Sequence, residues 1–346
     1  MSAALKILII RRDNIGDLVC TTPVFTALRQ RFPNAQICAL VNSYNAPVLA
    51  HHPDVDRIFV YTKLKHRASG QSRLRLLWQR LRMHQELKKT AFDYVLLPND
   101  QPRLLRFALS LRAKHVIALG HAVTQHQSLT MLPAIQEGGE HEAQAVYRLL
   151  EPLGIHGTPP PGLVIADPTD AAKAQAALDA KGGVGPVIAL HISARKPSQR
   201  WPSERFAALM RELHARHGFR FILLWAPGSE WNPHHPGDDE KAQAILQMVG
   251  DLPVLPYPTH ILPELIGALS ICDTVICSDG GAMHLAAGLG KPIVCLFGKS
   301  DAWRWHPWGV PYHVLQHPSK EVTKISVGET LTAFTQLMAT SSGRQN

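Results

Sequence analysis

The 346-residue sequence predicts an α/β protein of two doubly wound parallel-sheet domains facing each other across a cleft. Three observations predict it. Short continuous apolar runs recur along the chain, as strands buried on both faces of a parallel sheet require. Helical segments alternate with them, and a βαβ progression with right-handed crossovers gives a doubly wound sheet. The progression breaks once, at Pro159, Pro160, Pro161 and Gly162, and restarts after Gly182, Gly183, Gly185 and Pro186. Such a cluster reads as a boundary, and the length suits two domains of about 100–200 residues.

In order, KILII (Lys6–Ile10) is the first strand. A polar turn follows at 11–17, then a helical stretch from about Leu18 to Arg31 with Pro23 in its first turns, where proline is tolerated. Segments 36–41, 57–61, 94–97 and 115–118 are the next strands. An alanine-rich helix at 171–180 follows the break. The second series runs through strands at 186–192, 219–225, 273–278 and 292–298, and a helix at about 327–338 closes it. The expected domains are residues 1–165 and 166–325, with 326–346 a terminal helix and polar tail.

Hydrophobic residues at 45% and charged residues at 18% exclude wholesale disorder. No apolar run approaches the roughly 20 residues of a membrane span. The opening MSAALKILII runs straight into Arg11, Arg12 and Asp13 without a small-residue cleavage site, so a strand is expected and not a signal peptide. Cys20, Cys38, Cys272, Cys277 and Cys295 form no CxxC pair and are odd in number, which fits a reducing cytosol. The pairs His51-His52, His214/His217 and His234-His235 lack supporting ligands, so no metal is expected.

The net charge of +9 is concentrated. Lys63, Lys65, Arg67, Arg73, Arg75, Arg80, Arg82, Lys88 and Lys89 face Glu86 alone, and Leu74, Leu77, Trp78 and Leu81 among them fall at helical spacing. A basic amphipathic helix results: either a solvated face or a surface for an anionic partner. No zinc-finger or RNP-type motif supports nucleic acid as that partner.

Four loops after strands carry the candidate chemistry. In 278–298, Asp279, Gly280 and Gly281 turn into a helix near Ala282, and exposed N–H groups with the helix dipole favour phosphate. His284, one turn in, is placed to donate to a phosphate oxygen or to lie on the surface. In 191–206, Ser193, Arg195, Lys196 and Arg200 offer donors suited to a diphosphate. In 11–18, Asp17 at the mouth of a helix can accept a proton from a hydroxyl or serve as an N-cap. A lone Gly16 is no GxGxxG fingerprint. In the long 226–242 loop, Asp239 or Glu240 suits a ribose diol, or simply the helix dipole. Trp303, Trp305 and Trp308 are expected to pack between domains.

The ordered combination of KILIIRRDNIGDLVCTTPVFTALR, the basic loop ending in Arg200-Trp201-Pro202, and SDGGAMHLAAGLGKPIVCLFG resembles the family 9 glycosyltransferases, the ADP-heptose:lipopolysaccharide heptosyltransferases. The resemblance runs from about Lys6 to Gly309. It implies a GT-B fold of two Rossmann-like domains, an N-terminal one for the acceptor and a C-terminal one for the nucleotide sugar. It implies an inverting transfer without a catalytic metal or other cofactor, ADP-heptose being the donor substrate. By position it puts the catalytic base on Asp17. It puts the diphosphate contacts on Arg200, with Lys196 a nearby second candidate, and on Asp279, Gly280, Gly281, Ala282 and His284, joined by Ser193 of the basic loop, and the ribose contact near Glu240. Arg11, Arg12, Arg73, Arg75, Arg80 and Arg82 form the expected surface for an anionic acceptor, a lipopolysaccharide core at the cytoplasmic face of the inner membrane. The alternatives are a transferase of another sugar for O-antigen or capsule, or a non-catalytic nucleotide-sugar-binding protein.

Overall fold

The computed structural model describes residues 4–62, 73–99, 101–120, 126–133, 139–232 and 236–342. The chain divides into two compact units, residues 1–164 and 165–346. In the first unit the strands are β1 (Lys6–Ile10), β2 (Gln36–Asn42), β3 (Arg57–Tyr61), β4 (Tyr94–Leu97), β5 (His115–Leu119) and β6 (Leu129–Leu132). The helices between them are α1 (Ile15–Val19), α2 (Thr22–Arg31), α3 (Arg73–Thr90) and α4 (Pro102–Ser110), and α5 (Glu142–Tyr147) follows β6. All the pairings are parallel, in the order β3-β2-β1-β4-β5-β6.

The second unit opens with α6 (Pro168–Ala180). It continues through β7 (Val187–His191), α7 (Ser203–His217), β8 (Arg220–Trp225), α8 (Asp239–Val249), β9 (Val254–Pro258) and α9 (Leu262–Ser270). Then come β10 (Thr274–Ser278), α10 (Gly281–Gly288), β11 (Ile293–Phe297), α11 (Ala302–Trp305), β12 (Tyr312–Gln316) and α12 (Val327–Ser342). Its sheet, also parallel, runs β12-β11-β10-β7-β8-β9. Both sheets therefore share one topology. In each, the first strand lies beside the fourth and the order reverses between them. Ligands of such sheets bind beyond the carboxyl ends of the strands at that reversal, and both candidate loops of the second unit, with the Asp17 turn of the first, start there.

The central strands explain the folding pattern. Ile7, Leu8, Ile9 and Ile10 are fully buried, as are Val275, Ile276 and Cys277 on β10, because helices cover both faces of each sheet. The expected single helix from Leu18 to Arg31 is two. It breaks at Cys20 and Thr21, where the hydroxyls of Thr21 and Thr22 donate to the carbonyls of Asp17 and Val19 and Pro23 enters at the start of α2. The terminal helix α12 belongs to the second unit's core, with Ala333, Phe334 and Leu337 buried and the Phe334 ring edge-on to Phe219. Trp303 does not pack as expected. It is 64% exposed, since short α11 turns it outward, while Trp305 lies edge-on to His284. Among the described residues, no helix is long and apolar enough to cross a membrane, and no group of His, Cys, Asp or Glu has the makings of a metal site. The His234-His235 pair and Lys63, Lys65 and Arg67 lie outside the described residues.

Candidate active site

The first unit's site is built on the turn after β1. Asn42, at the end of β2, pins this turn by donating to the carbonyls of Arg12 and Asp13 at 3.0 and 2.9 Å. Asp17 lies in the first turn of α1, where the cap is Asn14 and not Asp17. Its Oδ2 accepts from the backbone N–H and side-chain amide of Asn14 at 3.0 and 2.9 Å, and its Oδ1 accepts from Arg11 at 2.9 Å. The carboxylate is thus oriented from both sides, and its side chain is still 15% exposed.

Arg11 does not join an exposed basic surface; it is 2% exposed. Its guanidinium bridges Asp17 to the buried Glu142 of α5 and lies 3.5 Å from Asp13. Burial alone would lower its pKa, but Glu142, Asp17 and Asp13 outweigh burial and raise it. Asp13 also accepts from Asn99, just after β4, at 3.1 Å. The turn after β1 is thereby tied to the neighbouring strand across the topological reversal.

Beside this network, Arg12 stacks on the Tyr61 ring at 3.5 Å and Arg80 of α3 lies over the same ring at 4.4 Å. Arg80 also donates to the Thr62 carbonyl at 2.6 Å. Burial, and more weakly the charge of Arg80, lower the Arg12 pKa. Two guanidinium groups so held, Arg12 in the same post-β1 turn as Asp13, suit an anionic group. Arg75 and Arg82 are brought to neither; both are exposed on α3, which begins at Arg73.

In the second unit, the loop after β7 curls through a 3-10 turn (Pro197–Gln199). Arg200 donates to the Ala194 carbonyl at 3.0 Å and sits 3.3 Å from Asp238, which is 1% exposed. Ser193 accepts from the Ala226 N–H at 2.8 Å and hydrogen-bonds Asp238. Burial pushes the Asp238 carboxyl up against the pull of Ser193, Arg200 and Lys241. Lys196 is exposed and stays apart from this cluster.

The sequence did not single out Asp238 or Lys241. Lys241 donates to the Ile192 carbonyl at 3.0 Å, and burial lowers its pKa to about 8. A signal existed: a lysine in the first turn of a helix opposes the helix dipole, so its presence there calls for another reason. With Arg200, Trp201, Glu230 and Glu240 it lines a cavity of about 360 Å³. Asp239 spends its oxygens on the Trp225 indole N–H at 2.7 Å and the Gly228 N–H at 2.9 Å, so of the two candidates Glu240 is the one at the cavity, beside Glu230. Backbone N–H groups, its own and that of Glu230, and the Ser229 hydroxyl hold Glu240 below the usual carboxylate range. The loop from 226 closes on itself, since a Cβ at Gly237 would overlap the Gly228 carbonyl.

The lowered Lys241 pKa has a stability consequence. Below about pH 8 the amine is charged in both folded and unfolded chains, and its burial penalty is fully present. As pH rises from about 8 towards the ordinary 10.5, only the folded chain has lost the proton, and the penalty is relieved. Urea unfolding of the wild type should therefore gain stability relative to Lys241→Met between pH 8 and 10, by on the order of 1–3 kcal/mol. A constant difference would remove the burial argument.

At the second loop, Asp279 accepts from Gln199 at 2.6 Å, and Gln199 also donates to Ser300. The loops after β7 and β10 are thus joined at the topological reversal. Gly280 caps α10 with no side-chain hydrogen bond, and Gly281 and Ala282 open the helix with N–H groups outward along its axis. His284 is no surface residue; it is 4% exposed, with its ring edge-on to Trp305 at 5.9 Å.

Residues 80–331 match the sequence model described as Glycosyltransferase family 9 (heptosyltransferase). The chain is 24% identical over 298 residues to lipopolysaccharide heptosyltransferase 3 of Escherichia coli, covering 85% of this chain and 83% of that one. It is 23% identical over 335 residues to lipooligosaccharide heptosyltransferase 2 of Haemophilus influenzae, covering 94% and 92%. Among solved structures, a family 9 glycosyl transferase from Veillonella parvula superposes with a TM-score of 0.83 at 20% identity, over 98% of this chain and 99% of that one. E. coli heptosyltransferase WaaC with ADP superposes with a TM-score of 0.72 at 18% identity, over 96% and 100%. The shared fold is GT-B.

Proposed function

Since the chain belongs to glycosyltransferase family 9 and is a glycosyltransferase, we propose that it transfers a heptose from ADP-heptose to a lipopolysaccharide core acceptor, with inversion and with Asp17 as general base. The observation that carries this reading is the Asp17 carboxylate, oriented by Arg11 and Asn14 in the first turn after β1 and partly exposed. In the reaction the acceptor oxygen forms a bond to the anomeric carbon from the face opposite the diphosphate. Its proton passes to Asp17. The bond to the diphosphate breaks, and ADP leaves with the electron pair.

The negative charge that develops on the leaving group needs donors already in place. Arg200 and the N–H groups at Gly280, Gly281 and Ala282 supply them, with Asp279 and His284 shaping that turn, Ser193 fixing the loop through Asp238 and the exposed Lys196 swinging in with the donor. Lys241 adds a cation beside Arg200, and Glu240 takes the ribose hydroxyls. No step of this scheme requires a bound metal. Arg12 and Arg80, paired on Tyr61, hold a phosphate or carboxylate of the acceptor near Asp17. The acceptor is a glycolipid, so the protein works at the cytoplasmic face of the inner membrane.

The direct test is thermal-shift binding of ADP, GDP, UDP and dTDP, with and without magnesium, followed by transfer from the matching sugar nucleotide. A selective, magnesium-independent shift with ADP is expected; preference for another nucleotide would discard heptose as the sugar. Arg200→Ala should weaken ADP about ten- to a hundredfold, the loss of a charge-assisted hydrogen bond in a partly buried site. Unchanged affinity by calorimetry would remove Arg200 from the donor site.

A further inference from the structure

We propose that the outward face of α3 is a docking surface that seats the protein in the interface of a bilayer carrying anionic headgroups. The inference deepens the reading of a membrane-borne acceptor and rests on it.

The helix carries two apolar stripes where one suffices for packing. Leu76 and Leu87, with Met83, fill the core against the sheet. Leu74, Leu77, Trp78 and Leu81, spaced three, four and seven apart, share the opposite face. They are 72%, 53%, 74% and 52% exposed. Single exposed apolar residues are ordinary, but a contiguous row marks an interaction surface. Nothing in the core requires this row, because the inner stripe already buries the helix.

The charges around the row select the occupant. Arg75, Arg82 and Lys89 are spaced by sevens and line one border of it, and Lys88 stands at its C-terminal end; all four are exposed. The helix has one acidic residue, Glu86, which is paired with Arg57 of β3. The face therefore presents apolar side chains flanked by uncompensated cations. An interfacial helix has this arrangement: leucines and tryptophan sit at the headgroup–acyl boundary while long basic side chains reach back to the phosphates. A second copy of the chain would bring the same positive border and be repelled. A nucleic acid would satisfy the cations and leave the four apolar side chains uncovered. Inward, the same helix delivers Arg80 to Tyr61, so docking would set the anion-binding pair near the membrane plane.

The test is co-sedimentation of the full chain with vesicles of phosphatidylcholine alone or with an equal part of phosphatidylglycerol. Binding to the anionic vesicles, weakened by salt, is expected. Trp78→Ser should lower the partition coefficient about tenfold, since a large apolar side chain no longer leaves water. Arg75→Gln with Lys89→Gln should lower it more than tenfold and abolish the preference for anionic lipid. No vesicle binding by the wild type, or full binding by both variants, overturns the proposal. So does a dimer that Trp78→Ser dissociates, because the face is then a subunit contact. Both variants change exposed side chains, and circular dichroism verifies their fold. Turnover of a water-soluble core fragment by Trp78→Ser should equal wild type while turnover of vesicle-embedded acceptor falls; equal loss on both overturns a docking role. If the wild type binds vesicles yet transfers no heptose to either acceptor, the functional reading fails and the docking surface stands.

Discussion

Asp17→Asn is expected to lower kcat for heptosyl transfer by about a hundred- to ten-thousandfold, the range a positioned general base contributes. The substitution keeps the shape and removes the proton acceptor. It also disturbs the local network. Asp17 accepts from Arg11 on one oxygen and from two Asn14 donors on the other, and an amide NH2 must face one of these sets. A stability loss of about 1–2 kcal/mol should follow. The proposed donor site is in the other unit, so ADP affinity should stay within about twofold of wild type, as no charge-assisted bond to the nucleotide is removed. Steady-state kinetics beside ADP calorimetry separates the effects. Near-normal turnover would exclude Asp17 as the base, and a parallel loss of ADP binding would point to a structural role.

Arg11→Ala should cost about 3–5 kcal/mol of first-unit stability, the usual penalty for removing one partner of a buried ion cluster. The guanidinium holds three carboxylates together, and Glu142 among them is 2% exposed in its side chain. Without Arg11 these groups repel one another in a site with little water. Glu142→Gln added to Arg11→Ala should recover part of the loss, which denaturant unfolding of the single and double variants measures. If the two losses simply add, Arg11 and Glu142 do not act as a pair. Arg11 is a positioning residue in this scheme. The surviving folded fraction of Arg11→Lys should therefore show a lowered kcat with an altered pH profile, an effect that a purely structural role would not produce.

The sequence revealed the strands that the sheets bury, with one edge strand, β3, and missed the other three edges. KILII and TVICS are continuous apolar runs because helices cover both faces of each. The unread strands β6, β9 and β12 each lie at the end of a sheet. Edge strands are half exposed, so their apolar signal is diluted, and VLPYP carries two prolines that only an edge tolerates. The site divided similarly. Asp17, Arg200 and Asp279 were legible because each follows a strand in a loop of unusual composition. Asp238, Lys241 and Gln199 were not, because their significance is burial and partnership across separate loops. Arg11 was read as surface on its charge alone, and only the fold shows the three carboxylates gathered around it.

The division at residue 164 also has a consequence in time. Every strand of the first sheet comes from residues 6–132, so no part of it waits on the second half of the chain. On the ribosome, at about 5–20 residues per second, the rest takes on the order of ten to forty seconds to emerge. The first sheet can close within that interval. The second cannot close early. Its buried Trp201 indole donates to the Ile325 carbonyl, and Phe334 and Leu337 complete its core. Nascent chains stalled before residue 325 should thus hold a protease-resistant first half beside a second half still open to cleavage.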